Sequence, residues 1–130
     1  MEAKFLKIVM LAAVADGEIQ GEELEMLNQI KKSHPELKNI PDDAARAAMA
    51  DVYNKISAGM EVKHILEQLG SEFIQKERET AFALAKEVCA ADFNILPAET
   101  EFLQLVIDMW SIPDDIVHIV NRSIALRYSI

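Results

Sequence analysis

A short acidic motif that occurs twice constrains the fold of this chain more than any other feature. The first copy spans residues 15–27 and the second spans residues 91–103, at a constant offset of 76. Each copy follows an apolar segment and opens an amphipathic one, which predicts a helix, a tight loop and a second helix. The matching residues are Asp16 with Asp92, Ile19 with Ile95, Glu23 with Glu99, Glu25 with Glu101, and Leu27 with Leu103.

A second repeated signal supports an internal duplication. The tetrapeptide Ile-Pro-Asp-Asp occurs at residues 40–43 and again at residues 112–115, at an offset of 72. Proline at the first helical position followed by aspartates is typical of a helix N-terminus. The four extra residues of the first half fall in the connector near residues 33–38, where insertions cost little.

The predicted fold is all-α, a compact bundle of about seven helices with an internal pseudo-two-fold duplication. Glycine and proline number only four each in 130 residues, and no strand-like alternation is present, which favours long helices. We predict one domain over residues 1–130, with halves at 3–57 and 79–128 linked by 58–78. The helix predicted at residues 3–14 is apolar on nearly every side and should therefore be central. The other predicted helices span residues 21–33, 41–57, 61–69 (closed by Gly70) and 71 or 76 to 90, followed by one that begins at Pro97 and one that ends near Tyr128.

The net charge of −9 argues against nucleic acid as a partner, because phosphate binding needs a basic face. The single cysteine, Cys89, excludes an intrachain disulfide and is compatible with a reducing compartment, so we expect a cytoplasmic protein. The apolar run at residues 8–15 follows two lysines and resembles a signal peptide, but its repeat in mid-chain favours a buried helix. That run is also too short for a transmembrane segment.

The two acidic loops allow two interpretations. If the halves pack about a pseudo-two-fold axis, the loops approach each other and their carboxylates repel, which a hard divalent cation such as Ca²⁺ or Mg²⁺ would relieve. Alternatively, Glu23 and Glu99 cap their own helices, and Asp16 and Asp92 bond the loop backbone. The Asp-to-Glu spacing is too short for an EF-hand. The candidate metal ligands are Asp16, Glu18, Glu23, Asp92, Asn94 and Glu99.

The pattern Ala-Asp-Gly-x-Ile followed by Glu23, repeated around Asp92 and Glu99, resembles the tellurite-resistance protein TerB family. The resemblance spans nearly the whole chain. It implies a seven-helix bundle with internal pseudosymmetry, a proposed divalent-cation site at Asp16, Glu23, Asp92 and Glu99, and a role in stress and tellurite-resistance systems. The second loop departs from the pattern, because Phe93 replaces the glycine and would resist a left-handed backbone.

The remaining reactive residue types are predicted to be structural. Cys89 and Trp110 fall on apolar helix faces and should lie in the core, and the histidines are isolated from one another. The methionines fall at helical core spacing, although a methionine-rich groove for a partner helix stays open. The chain lacks a phosphate loop, a nucleophile elbow and a Ser/His/Asp set, so we predict a non-enzymatic protein with protein partners, and a homodimer is compatible with the sequence.

Overall fold

The computed structural model describes residues 2–14, 37–90 and 97–128. These residues form six α-helices and no strand, which confirms the all-α prediction for this part of the chain. The predicted helix at residues 21–33 lies outside the described residues, as do both acidic loops, so a seventh helix is not counted here. No described helix has the length and hydropathy needed to cross a membrane. The helices are α1 (Lys4–Val14), α2 (Asp42–Ser57), α3 (Val62–Gly70), α4 (Gln75–Ala90), α5 (Pro97–Trp110) and α6 (Asp114–Tyr128).

Helix α1 is the centre of the described bundle. It packs against α2, α3, α4 and α5, and most extensively against α4. Such a helix needs apolar residues on all sides, as the sequence predicted. Its fully buried side chains are Leu6, Ile8, Val9, Met10, Leu11 and Ala12.

Helices α1 and α4 run in the same direction. The Lys4 ammonium at the start of α1 lies 2.9 Å from a carboxylate oxygen of Glu77 at the start of α4. The two helices pack along one another from there, so both must run toward the same end of the bundle. At 1.5 Å per residue, α1 extends about 15 Å beyond Lys4 and α4 about 20 Å beyond Glu77. These lengths leave Val14 and Ala90 at the same end of the helix pair.

The two Ile-Pro-Asp-Asp segments begin helices in the same way. The Pro41 carbonyl accepts a hydrogen bond from the Ala45 N–H at 2.9 Å, and the Pro113 carbonyl accepts one from the Val117 N–H at 3.0 Å. Pro41 itself has an extended backbone with ψ of 143°. The first helical residue is therefore Asp42, and the prediction that Pro41 takes this position was wrong by one residue. Pro41 is the N-cap, because its carbonyl accepts the first hydrogen bond of the helix although its own dihedral angles are not helical.

Helix α2 ends at Ser57, as predicted, and is closed by a Schellman turn at Gly59. Gly59 has a φ of 86°, the left-handed region that favours glycine. Its N–H donates to the Ile56 carbonyl at 3.0 Å, and the Met60 N–H donates to the Lys55 carbonyl at 3.0 Å. The last turn of α2 thus has its free carbonyls satisfied.

Helix α5 ends in a similar turn without glycine. Ser111 has a φ of 51°, and the following Ile112 N–H donates to the Ile107 carbonyl at 3.1 Å. The burial of Ile112 on the core holds the chain in this turn although serine resists the left-handed region.

Gly70 closes α3, as the sequence predicted. It is the last residue of α3, and a Cβ there would lie 2.7 Å from Nε1 of Trp110. The indole is buried, packs edge-on against Phe73 at 5.6 Å between ring centroids, and donates to the Leu66 carbonyl at 3.0 Å. Glycine is needed here for space, and the prediction that Trp110 lies in the core is confirmed.

Candidate functional site

One of the six predicted metal ligands, Glu99, lies within the described residues. The other five fall outside them, so their mutual distances stay untested. These five are Asp16, Glu18, Glu23, Asp92 and Asn94.

Glu99 is the third residue of α5, two positions after Pro97. It is 7 % exposed and is the only buried charged side chain among residues 2–14, 37–90 and 97–128. Burying a carboxylate is costly unless it is compensated, and Glu99 does have an interaction partner. The first turn of a helix also favours a negative charge through its free N–H groups. A glutamate at this position can cap the helix, and its carboxylate can also bind a cation.

Glu77 shows what a glutamate at the same helical position does elsewhere in this chain. It is the third residue of α4, and its carboxylate accepts a hydrogen bond from the Ile74 N–H at 3.0 Å, the backbone half of a capping box. The Ile74 N–H and the Lys4 ammonium together lower the pKa of Glu77 below its ordinary value. Glu77 is a partly exposed cap with a cation beside it, whereas Glu99 is buried.

The last described residues of α1 and α4 precede the two acidic motifs in the sequence. Val14 and Ala90 lie at the same end of the bundle because the two helices are parallel and begin side by side. Asp16 and Asp92 each follow two residues after those helix ends. The acidic motifs themselves lie outside the described residues.

The described histidines, cysteine and carboxylates form no metal-binding cluster. Within the described part of the chain, no group of three or more His, Cys, Asp or Glu side chains is arranged to hold a metal ion. His64 and His118 are exposed, as expected for isolated histidines, whereas His34 lies outside the described residues. Cys89 is fully buried, which confirms its predicted place in the core.

The predicted core methionines are confirmed in part. Met10 and Met49 are fully buried, and Met60 and Met109 pack partly buried against the core. Met26 lies outside the described residues, so the methionine-rich groove that the sequence left open stays untested.

A set of ion pairs ties α2 to α1. Lys7 lies 3.3 Å from Asp51 on α2 and 3.3 Å from Glu72 in the α3–α4 turn, and Lys55 lies 3.1 Å from Asp51. Partial burial works to raise the pKa of the Asp51 carboxyl, but the neighbouring Lys55 and Lys7 ammonium groups outweigh it and hold that pKa below its ordinary value. This cluster stabilises the fold and contains no free ligand set.

Sequence reasoning missed a groove between α4 and α6. The groove has a volume of about 300 Å³, and Ile119 at its rim is 60 % exposed. The available signal was that Ile119, which lines the groove, is apolar and lies two turns from the apolar Leu126 on one face of α6. The groove is lined by Thr80, Ala83, Leu84 and Glu87 of α4 and by Ile119, Val120, Ser123, Ile124 and Arg127 of α6.

The sequence profile of the family described as "Tellurite resistance protein TerB" matches residues 3–120. The match covers α1 through α5, both acidic loops and the first half of α6. Neither a curated protein nor a solved structure gives a significant match.

Proposed function

Because the chain belongs to the TerB family, we propose that it is a non-enzymatic helical domain that binds a divalent cation between its two acidic loops. The proposed ion is Ca²⁺ or Mg²⁺, since the candidate ligands are all oxygen donors. The proposed context is a stress or tellurite-resistance assembly in the cytoplasm. The proposal includes the duplicated seven-helix architecture, because a shared ion requires two equivalent loops.

The parallel packing of α1 and α4 is the observation that carries the proposal. Helices related by a two-fold axis along their length run parallel, and the segments that follow them leave from the same end. The Lys4–Glu77 contact at one end of the pair supports this arrangement, with Val14 and Ala90 together at the other. Antiparallel helices would have separated the loops by the length of a helix.

The matching order of helix contacts supports the duplication. Helix α1 packs against α2, and α4 packs against α6. These pairs correspond to each other in the two predicted halves, and α2 and α6 share the same N-terminal hydrogen bond from the fourth residue on to the proline carbonyl.

The burial of Glu99 supports a role beyond simple capping. Glu77, the capping glutamate of α4, is partly exposed, whereas Glu99 at the same helical position is buried. Because Glu99 already has an interaction partner, the cation is proposed as an additional one, shared with the aspartates of the acidic motifs.

Isothermal titration calorimetry of the full chain with Ca²⁺, Mg²⁺, Mn²⁺ and Zn²⁺ tests the proposal. We expect saturable binding of one ion that is lost in Glu99→Gln and in Asp16→Asn. Glutamine still caps a helix at the third position but is a poor ligand for a hard cation, so Glu99→Gln separates the two roles. Glu101→Gln, two residues further along α5 at an exposed position, is the matched control and should bind as the native chain does.

Thermal unfolding with and without the ion gives the second measurement. A site in the folded state raises Tm with ion concentration, and at 100 times Kd the gain is about 2.7 kcal/mol. If no ion binds the native chain, or if Glu101→Gln abolishes binding as fully as Glu99→Gln, the acidic loops serve only as helix caps.

The exposed groove between α4 and α6 favours one alternative, a metal-free protein-interaction scaffold. In that case the acidic loops cap their helices, and a protein partner binds elsewhere. Absence of ion binding together with a specific protein partner would select this function.

A further inference from the structure

We propose that the outer face of α6 and the adjoining groove are the docking site for a second copy of this chain. The α6 face consists of Asp115, Ile119, Arg122 and Leu126, which follow one another at intervals of four, three and four residues and so share one side of the helix. Ile119 and Leu126 are 60 % and 72 % exposed. Together with Ile74 they are the only large apolar side chains that are exposed in the described part of the chain.

The α6 face is complementary to itself. Asp115 and Arg122 are seven residues apart, two turns along the same side. When two copies of α6 run antiparallel about an axis level with residues 118 and 119, each Asp115 faces Arg122 of the other copy. Ile119 then lies near the axis, where it contacts its own counterpart. In a two-fold interface both copies use the same surface patch, so that patch must be complementary to itself.

The two charges are available for such a contact. Asp115 and Arg122 are both exposed, and neither forms a salt bridge within the described residues. They are too far apart along one helix to neutralise each other, because intrahelical pairs form at intervals of three or four residues. A second, antiparallel α6 supplies both missing partners at once.

The charge of α6 favours a second copy over a basic partner. The chain as a whole carries −9, but α6 has two aspartates near its start and two arginines further along, so its formal charge is zero. Two copies that meet through α6 avoid the repulsion between their acidic surfaces. A basic peptide would be drawn to the acidic parts of the molecule instead, because Arg127 already lies 2.8 Å from Glu87, the acidic residue of the groove.

The corresponding positions of α2 lack this surface. At the offset of 72, Ile119 corresponds to Ala47, Arg122 to Ala50 and Leu126 to Asn54. Ala47 and Asn54 are exposed, so helix burial does not require the larger apolar residues at those positions. The docking face is therefore a property of the second half alone.

Sedimentation velocity of the full chain over a concentration series tests this proposal. We expect a reversible dimer whose Kd rises roughly tenfold or more in Ile119→Ala, which gives α6 the residue that α2 has there. Ile74→Ala is the matched control, because Ile74 is 67 % exposed but lies before α4, away from the groove, and its Kd should equal that of the native chain.

A charge exchange provides a second, independent test. Asp115→Arg and Arg122→Asp should each raise the dimer Kd about tenfold, since each places like charges opposite one another twice per dimer, and the double variant should return close to the native value. Circular dichroism confirms that each exposed-site variant remains folded. A chain that stays monomeric at millimolar concentration, a double variant that fails to recover, or equal effects of Ile74→Ala and Ile119→Ala would overturn the proposal. Because no acidic-loop residue is changed, these outcomes are independent of cation binding.

Discussion

Helices α2 and α6 begin at the same tetrapeptide but are buried to different extents. Helix α2 lies between α1 and α3 and buries an entire side in the core. Helix α6 packs chiefly against α4, and Ile124 is its one fully buried side chain among the described residues. The buried residues of α2 are Ala45, Ala48, Met49 and Val52.

The difference shows that an identical helix start fixes where a helix begins but not how deeply it packs. Small residues on α2 let it approach α1 closely, whereas the larger Ile116 and Val120 of α6 stand where α2 has Ala44 and Ala48. Two helices can thus begin with the same tetrapeptide while one is buried in the core and the other keeps an exposed apolar face. Three predictions test this contrast.

The largest expected effect comes from removing core volume in α2. Met49→Ala deletes a side chain that is 2 % exposed and should lower the free energy of unfolding by about 2–5 kcal/mol. Ile119→Ala in α6 should change it by less than about 0.5 kcal/mol, because that side chain is mostly in solvent. Urea unfolding at dilute protein concentration measures both, and equal costs would mean that α6 is as deeply packed as α2.

A smaller effect comes from the turns that end α2 and precede α6. Gly59→Ala should destabilise the chain by about 1 kcal/mol through its backbone alone, because a Cβ at Gly59 would contact nothing. Ser111→Gly, the opposite exchange at the turn before α6, should stabilise it by about 0.5–1 kcal/mol. Thermal unfolding measures both changes in stability. If Ser111→Gly destabilises the chain instead, the serine side chain itself stabilises the turn.

The smallest effect concerns the ion pairs of the two helices. The pKa of Asp51 is lowered in the folded chain, so its contribution to stability is present above the unfolded pKa and is lost as pH falls through the folded pKa. Asp51→Asn should therefore cost less than about 1 kcal/mol near neutral pH, since the carboxyl is partly solvated, and nothing in strong acid.

Arg127→Ala in α6 is the comparison for the pH dependence of Asp51→Asn. Its pair with Glu87 is at the surface, with the Arg127 side chain 53 % exposed, and its loss should stay within about 0.5 kcal/mol at every pH. Denaturant unfolding between strong acid and neutrality distinguishes the two. A pH-independent loss for Asp51→Asn would contradict the assigned ion pairs.

The local start and stop signals predicted the described helices to within one residue at most ends. Prolines and aspartates mark the starts of α2 and α6, and Gly59 marks the end of α2, because these residues act through their own backbone. The sequence predicted that Gly70 closes α3, but the requirement for glycine there comes from the space occupied by Trp110, forty residues away in sequence. Of the six candidate ligands, Glu99 lies within the described residues and is buried, and the other five lie outside them.

The sequence by itself determined that the described part of the chain is helical, where most of the described helices begin and end, and that an acidic motif occurs twice. These properties follow from local backbone preferences and from apolar periodicity. Only the tertiary structure decided that α1 and α4 run parallel, that Trp110 occupies the space left by Gly70, and that Ile119 and Leu126 remain in solvent. Those outcomes depend on which side of each helix meets a neighbour, and no single segment carries that information.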